Sequence, residues 1–247
     1  MNKTLPSEST MDLNIDNASQ VRMAVETLEE DIAFGYMHPR ERLVEDELRA
    51  RFGLKRHIVR QVLAELEQMG LVERKKNIGA LVKSYSVKEV IDLYIVRDIL
   101  ETNCARQIAL PVASEKLAEL EAIQQRHDDA VRDANLHVAF RMNIAFHKVL
   151  FALSDNPALT EMIELAAQRA HVIRSLSMVV PEYLEKSRRD HRQMIEALRE
   201  GDRERLVALC HDHLLPSRDA YIEKYRRMAP QFERADALLP LAHPPQD

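Results

Sequence analysis

Apolar side chains recur every three or four residues through six successive segments after Ser86, and this period constrains the chain more than any other feature. The segments are "VKEVIDLYIVRDILETNCARQIAL", "ASEKLAELEAIQQRHDDAV", "ANLHVAFRMNIAFHKVLFALS", "PALTEMIELAAQRAHVIRSLS", "EYLEKSRRDHRQMIEALRE" and "RERLVALCHDHLLPSRDAYIEKY". Breaks fall at Pro111, near Asp133, at Asn156–Pro157, near Pro181 and at Gly201–Asp202. A helix with one apolar stripe must bury it, so six such helices on short connections predict one antiparallel bundle over residues 85–230. The interior of a bundle can hold a small ligand. Scarcity of glycine, 5 residues, and of aromatics, 5%, agrees with a mainly α fold.

The N-terminal third reads differently. Residues 1–17 are polar and aperiodic, and the Pro-rich 231–247 is expected to be a second tail. Over residues 18–84, a helix can start at Ser19, carry Val21, Ala24, Val25 and Leu28 on one face, and stop near Gly35. "RERLVEDELRARFG" supplies a short second helix ended by Gly53. Val59, Val62, Leu63, Leu66 and Met69 then mark the buried stripe of a third helix, which Gly70 terminates. "LVERKK" and "ALVKSY" alternate as two strands of a β-hairpin around Asn77 and Gly79, residues that tolerate positive φ. Helix, helix, tight turn, helix, hairpin is the order of a winged helix-turn-helix.

Charge placement follows the same order. The whole chain carries −5 and would repel phosphate, so affinity for nucleic acid has to come from local clusters. From Leu48 to Ala64 there are five Lys or Arg and no acid, and Arg74, Lys75 and Lys76 add a second cluster on the hairpin. A basic run is most often a solvated helix face, but here two placements coincide. Arg56, His57, Arg60 and Gln61 lie opposite the apolar stripe and are expected to face the major groove. Arg49 and Lys55 are expected on phosphates, with Lys76, Asn77 and Gly79 at the wing tip.

The stretch "HPRERLVEDELRARFGLKRHIVRQVLAELEQMGLVERKKNIGALV" resembles the DNA-binding domain of the GntR family of bacterial transcription regulators, over about residues 20–84. It departs in three places: Lys55 replaces the usual Ser or Thr cap, Ile58 the usual Pro, and Arg40 the usual Gly after Pro39. Lysine cannot accept the orphan N–H bonds at a helix start, at a cost of roughly 1 kcal/mol, although DNA phosphate can bind there.

Asn143 and His147 are four apart and share a helix face, while His191 and His213 lie on the last two long helices. Spacing alone does not bring them together, and a lone histidine is most often a surface or satisfied core residue. "LYIVRDILE", "NIAFHKVLFALSDNPAL", "DHRQMIEALREGD" and "LCHDHL" resemble the ligand-binding FCD domain of the FadR-type subgroup, over about residues 85–228. That resemblance implies a divalent transition metal (Zn, Ni or Mn) held by Asn143, His147, His191 and His213, with His213 rather than His211 in register. Asn143 stands where the subgroup has Asp, so the ion's +2 charge would lack a protein counter-ion. Metal then binds more weakly, or an anionic effector supplies the charge. Arg97 matches the subgroup's arginine and could pair with an effector carboxylate or, equally, with Glu101. His171 and Arg174, on the helix expected to wall the pocket, are further effector candidates.

The reading that follows is a ligand-responsive transcription regulator, most simply a repressor of genes for small organic-acid transport or catabolism. It would bind a palindromic double-stranded DNA operator as a homodimer and respond to a small carboxylate effector. The alternative is a metal-dependent hydrolase or lyase using the histidines, but no HExxH, Gly-rich phosphate loop or serine-nucleophile elbow is present. An RNA-binding scaffold would need aromatic platforms among the basic residues. No apolar run reaches the roughly 20 residues that span a bilayer. Cys104 and Cys210 lack metal-type spacing, so buried reduced thiols in a soluble, cytoplasmic protein are expected, with no membrane partner.

Overall fold

The computed structural model describes residues 16–76, 78–174 and 179–237, with side chains as far as Arg227. Asp16 caps the first helix, α1 (Asn17–Ala33), by accepting a hydrogen bond from the Ala18 N–H. α1 buries Val21, Ala24, Val25, Leu28 and Ile32. Gly53, at φ 65°, closes α2 (Glu45–Phe52) and turns the chain into α3 (Arg56–Gln68). The expected hairpin forms from β2 (Val72–Lys75) and β3 (Gly79–Val82), but a third strand joins it. β1 (Arg42–Leu43) pairs antiparallel with β3, giving the order β1-β3-β2, with Leu43 opposite Ala80. Two residues are too few to display a period of two, which is why the alternation did not reveal this strand.

Arg40, which precedes β1, adopts φ 70°. Its N–H donates to the Val82 carbonyl, while the Val82 N–H donates to the Glu41 carbonyl, so the ladder pins this strained residue in place. Left-handed backbone costs a non-glycine residue roughly 1–2 kcal/mol.

The bundle is all helix. Ser86 and Glu89 form a reciprocal capping box at the start of α4 (Val87–Gln107). α5 (Ser114–Arg132), α6 (Leu136–Ala152) and α7 (Pro157–Arg169) follow. The fourth periodic segment does not run as one helix. It breaks at Ala170, and α8 (His171–Arg174) is separate, so His171 and Arg174 do not share α7 as expected. His171, Val172 and Ile173 are all buried, which a single face of a continuing surface helix could not achieve. α9 (Pro181–Glu200) and α10 (Arg203–Ala237) complete the chain, with α10 running past Tyr225 into the segment expected to be a tail.

One apolar core joins the two halves. Leu28, Leu66 and Val82 of the winged helix pack in the same cluster as Tyr94, Val172, Ile173, Leu214 and Tyr221 of the bundle. Tyr85 stitches the junction: its N–H donates to Tyr221 Oη at 3.1 Å, its carbonyl accepts from the same hydroxyl at 3.0 Å, and its own hydroxyl donates to the Gly70 carbonyl at 3.0 Å. A second core surrounds Phe146, Leu150, Met194, Cys104 and Cys210, and both cysteines are buried free thiols. Among the described residues no helix is long and apolar enough to cross a membrane.

Relief of the left-handed strain gives the first prediction: Arg40→Gly should raise unfolding stability by about 1 kcal/mol, since only glycine occupies that region without penalty. Urea unfolding of the two proteins checks it, and an unchanged or lower midpoint would show that the arginine side chain repays the strain.

Candidate functional site

Two regions carry the candidate residues. On the winged helix, Arg49, Lys55, Arg56, His57, Arg60, Gln61, Lys76 and Gly79 are all exposed, and Asn77 lies outside the described residues. The burial of Ile58, Val59, Val62, Leu63 and Leu66 fixes which side of α3 faces out. Ile58, standing where proline is usual, is a core residue here. Arg74 Nη2 donates to the Arg60 carbonyl at 3.2 Å, which ties the wing to α3. The guanidiniums rest on carboxylates of α2: Arg49 and Arg56 share Asp46 Oδ1, at 2.9 and 3.5 Å, and Arg60 Nε sits 3.3 Å from both Glu45 oxygens. Exposed pairs of this kind are worth little and exchange readily for phosphate or base oxygens. Lys55 sits at the N-cap of α3 in extended conformation and makes no side-chain cap bond. The first N–H groups of α3 therefore lack that cap and favour an anion.

In the bundle, His147 of α6, His191 of α9 and His213 of α10 converge, each with a ring nitrogen within 4.8 Å of the others. His147 Nε2 is 3.1 Å from His213 Nε2 and 3.3 Å from His191 Nε2. Nitrogens bound at roughly 2.0–2.1 Å to one zinc ion lie about 3.0–3.4 Å apart. The outer nitrogens fix the tautomers. His191 Nδ1 donates to Gln124 Oε1 at 2.8 Å and His213 Nδ1 to Asp190 Oδ2 at 3.0 Å, which leaves both Nε2 atoms as bare lone pairs while the rings are neutral. His147 can offer a proton to only one of them. Three inward nitrogens with at most one proton among them suit a cation.

Burial keeps the cluster neutral. It pushes His147 and His191 well below the usual imidazole range, with the neighbouring histidines adding to the effect. His213 is lowered by burial too, against the opposing pull of Asp190. Asn143 is buried beside them: its Oδ1 accepts from Ser187 Oγ at 3.4 Å, and its Nδ2 has no partner. His211 points elsewhere, to Asp98 at 2.8 Å.

Two cavities flank the cluster. One, of about 50 Å³, is lined by His127, Asn143, His147 and His213. The other, of about 280 Å³, reaches Glu29, Lys148 and His171, and Arg97, His147 and Arg174 border both. Arg97 does pair with Glu101, through Nε and Nη2 at 2.9 Å each, but in the interior rather than on a helix surface. Burial opposes the Arg97 charge, yet Glu101 and Tyr94 together outweigh it and hold the guanidinium protonated. Arg174 is pulled down to about 10, by burial first and the nearby Arg97 charge second.

Sequence reasoning missed Gln124, His127, Asp128 and Asp190. Gln124 Nε2 donates to Asp128 Oδ1 at 2.7 Å, and Arg188 and Arg192 each hold Asp128 through Nε at 3.0 Å, so a chain of hydrogen bonds orients the His191 ring. His127 Nδ1 is buried without a partner. The signal was present: positions 120, 124, 127 and 128 share a helix face, and three of the four are polar where the stripe calls for apolar residues.

Comparison with known proteins agrees with both halves. Residues 92–215 match the FCD domain, and residues 20–82 match the bacterial regulatory proteins of the gntR family. The HTH-type transcriptional regulator YdhC of Bacillus subtilis strain 168 is 26% identical over 171 residues, 69% of this chain and 76% of its own. The HTH-type transcriptional repressor RspR of Escherichia coli K12 is 24% identical over 187 residues, 76% of this chain and 82% of its own. In fold, the solved structure of E. coli McbR/YncC superposes with a TM-score of 0.72 at 18% identity, covering 84% of this chain and 99% of that one.

The buried histidines make the metal-free protein acid-sensitive. His127 falls from 6.5 to about 4, through burial above all, and His147, His171, His191 and His213 are lowered as well. Below pH 6.5 the unfolded chain therefore takes up protons that the folded chain refuses, and stability present above 6.5 is lost as the pH falls. Each such histidine costs up to about 1.4 kcal/mol per pH unit between 6.5 and its own lowered value. With chelator present, urea midpoints should drop steadily from pH 7 to 5, and His127→Gln should make the decline shallower. A flat profile in the native protein would contradict the burial described.

Proposed function

The chain belongs to the GntR family and carries an FCD domain, and from that premise we propose that this ligand-binding transcription regulator represses genes for transport or catabolism of small organic acids. It binds DNA and is not an enzyme, as its similarity to transcription regulators indicates; nothing supports the hydrolase or lyase alternative. The observation that carries the reading is the coexistence of an exposed basic α3-and-wing surface with a cation-ready histidine cluster in the bundle, the two joined by one apolar core. Arg56, His57, Arg60 and Gln61 read bases, Arg49 and Lys55 hold phosphates, and the wing around Lys76, Asn77 and Gly79 lies along the backbone. RspR's description as a repressor supports that sign of regulation.

The working form is a homodimer on a palindrome, since one helix-turn-helix offers few base contacts. Exposed Ile91, Ile95 and Ile99, spaced four apart on α4, with Val96 beside them, supply a seam for a second copy. α7 packs on α4, with Asn156 Nδ2 donating to Gln107 Oε1 at 3.0 Å, and adds exposed Met162 and Leu165.

His147, His191 and His213 would hold a divalent ion (Zn, Ni or Mn), with Asn143 alongside. Such an ion would supply a fixed positive centre that the neutral ligands leave uncompensated. A small carboxylate effector completes the charge there and reaches Arg97, with Arg174 and His171 further along the walls. Effector binding then lowers operator affinity by its preference for one arrangement of the two halves.

Gel shifts and sedimentation on the chain's own upstream DNA should find two copies per palindromic site. Arg56→Ala should cost about 1–3 kcal/mol and relax one position of each half-site. Lys55→Ala should weaken all sequences alike and flatten the salt dependence. An unaltered site preference in Arg56→Ala, or one copy binding a half-site tightly, would refute the arrangement.

At the histidines, Asn143→Asp should raise metal affinity without effector and shrink the gain that a carboxylate gives, because the protein then supplies the charge. Calorimetry with Zn²⁺, Ni²⁺ and Mn²⁺ measures both quantities. If the native protein binds no divalent metal with or without carboxylates, and His191→Ala leaves the effector response intact, the metal assignment fails.

A further inference from the structure

We propose that the larger cavity, where α1 meets the bundle, is a regulatory site for a small dianion, a dicarboxylate or a phosphate ester, that competes with the carboxylates of α1. The site shares Arg97, His171 and Arg174 with the effector site proposed above and rests on that reading, to which it adds competition with the carboxylates of α1.

The cavity walls come from two sources. The bundle contributes four cations, Arg97, Arg141, Lys148 and Arg174, but only two carboxylates, Glu101 and Glu164. α1 contributes the other two, Glu26 and Glu29. With α1 seated the formal charges cancel, and without it the bundle side keeps an excess of two positive charges.

The contacts bear the same stamp. Glu29 Oε1 accepts from His171 Nδ1 at 2.8 Å, with both groups buried. Glu26 Oε2 stands 3.6 Å from Arg141 Nη2. One turn along, Glu30 takes Arg141 Nε at 2.6 Å and His137 Nδ1 at 2.7 Å. The acidic edge of α1 thus acts as the resident counter-ion of the bundle.

The excess positive charge along these walls attracts a negative partner, which either α1 or a ligand supplies. A dianion lodged between Arg97 and Arg174 and reaching His171 would lie against Glu29, and like charges at that distance repel. The volume, about 280 Å³, is at the small end of ligand pockets and suits a compact anion. Dianion binding and α1 docking are therefore antagonistic. By reciprocity, the ligand loosens α1, and a loosened α1 raises affinity for the ligand. Because α1 packs on α3, the change is delivered straight to the recognition helix.

A tethered charge tests this without knowledge of the natural ligand. Ala167, half-buried on α7, lines the cavity, so Ala167→Glu carries a carboxylate into it and Ala167→Gln carries the same bulk without charge. In the full chain, amide hydrogen exchange across α1 should run at least tenfold faster in Ala167→Glu than in Ala167→Gln, and operator affinity should fall with it. Succinate and inorganic phosphate then separate the sources: whichever is the right chemistry should bind severalfold more tightly to Glu29→Gln than to the native protein. Equal α1 exchange in the two Ala167 variants overturns the proposal, and so does failure of both probes to bind either protein. Failure of the native chain to bind operator DNA would count against the DNA-binding reading alone, because the exchange comparison does not depend on it.

Discussion

Desolvation of imidazole is the constraint on which the bundle depends. His191 lies stacked on Phe146 at 4.0 Å, and His147 is stacked on Phe151 at 5.9 Å, so apolar rings press directly on the groups that could take a proton. A buried carboxylate or lysine would need a charged partner, whereas neutral imidazole can be buried in apolar surroundings and still present a lone pair. The same packing that stabilises the second core therefore excludes protons while leaving the cluster receptive to a metal. The oxygens of Gln124 and Asp190 finish the arrangement by choosing which nitrogen of His191 and of His213 stays bare.

The short helix α8 faces both the apolar core shared with the winged helix and the larger cavity. Val172 and Ile173 belong to the apolar core shared with the winged helix, while His171 and Arg174, one at each end of α8, line the larger cavity. A shift of α8 toward an anion would be felt by α1, on which α8 packs within that core. A close-packed core transmits such a shift instead of absorbing it. Tyr85 and Tyr221 restrain the other side of the junction through paired hydrogen bonds, while α1 is held by its apolar stripe together with the Glu29–His171 and Glu30–Arg141 pairs.

Much of this was legible in the sequence, and the failures have physical causes. The stripe Val59, Val62, Leu63, Leu66 is strongly periodic and sits between glycines, so α3 and its exposed basic face could be read without a structure. Lys55, a residue that cannot cap, indeed makes no cap bond. Arg40 stands where the family has glycine and takes the left-handed conformation that glycine would have held. β1 escaped because two residues carry no period. α8 escaped because His171, Val172 and Ile173 are buried from several sides at once, so the apolar pattern continues across a real break. The meeting of His147, His191 and His213 was invisible to spacing, being a property of three helices packed side by side. Only the family resemblance proposed it. Glu29 was missed because it looks like an ordinary helix-surface residue until its partner, His171, arrives from more than a hundred residues away.

The carboxylates under the recognition arginines bear on how an acidic protein could be selective for DNA. Non-specific binding is driven by release of counterions from phosphate and grows with every free cation the protein offers. Here Arg49 and Arg56 already share Asp46, and Arg60 already faces Glu45, so a lone phosphate oxygen replaces a contact that exists instead of adding one. A guanine edge offers two acceptors in the plane of the guanidinium, which a single distant carboxylate oxygen such as Asp46 Oδ1, at 3.5 Å from Arg56, does not match. Tethering therefore subtracts more from the indiscriminate interaction than from the base-specific one. A net charge of −5 pushes the same way by weakening long-range attraction to any duplex. On the proposed interface Lys55 and Lys76, with no carboxylate within ion-pair distance among the described residues, would supply phosphate attraction once the bases have set the register.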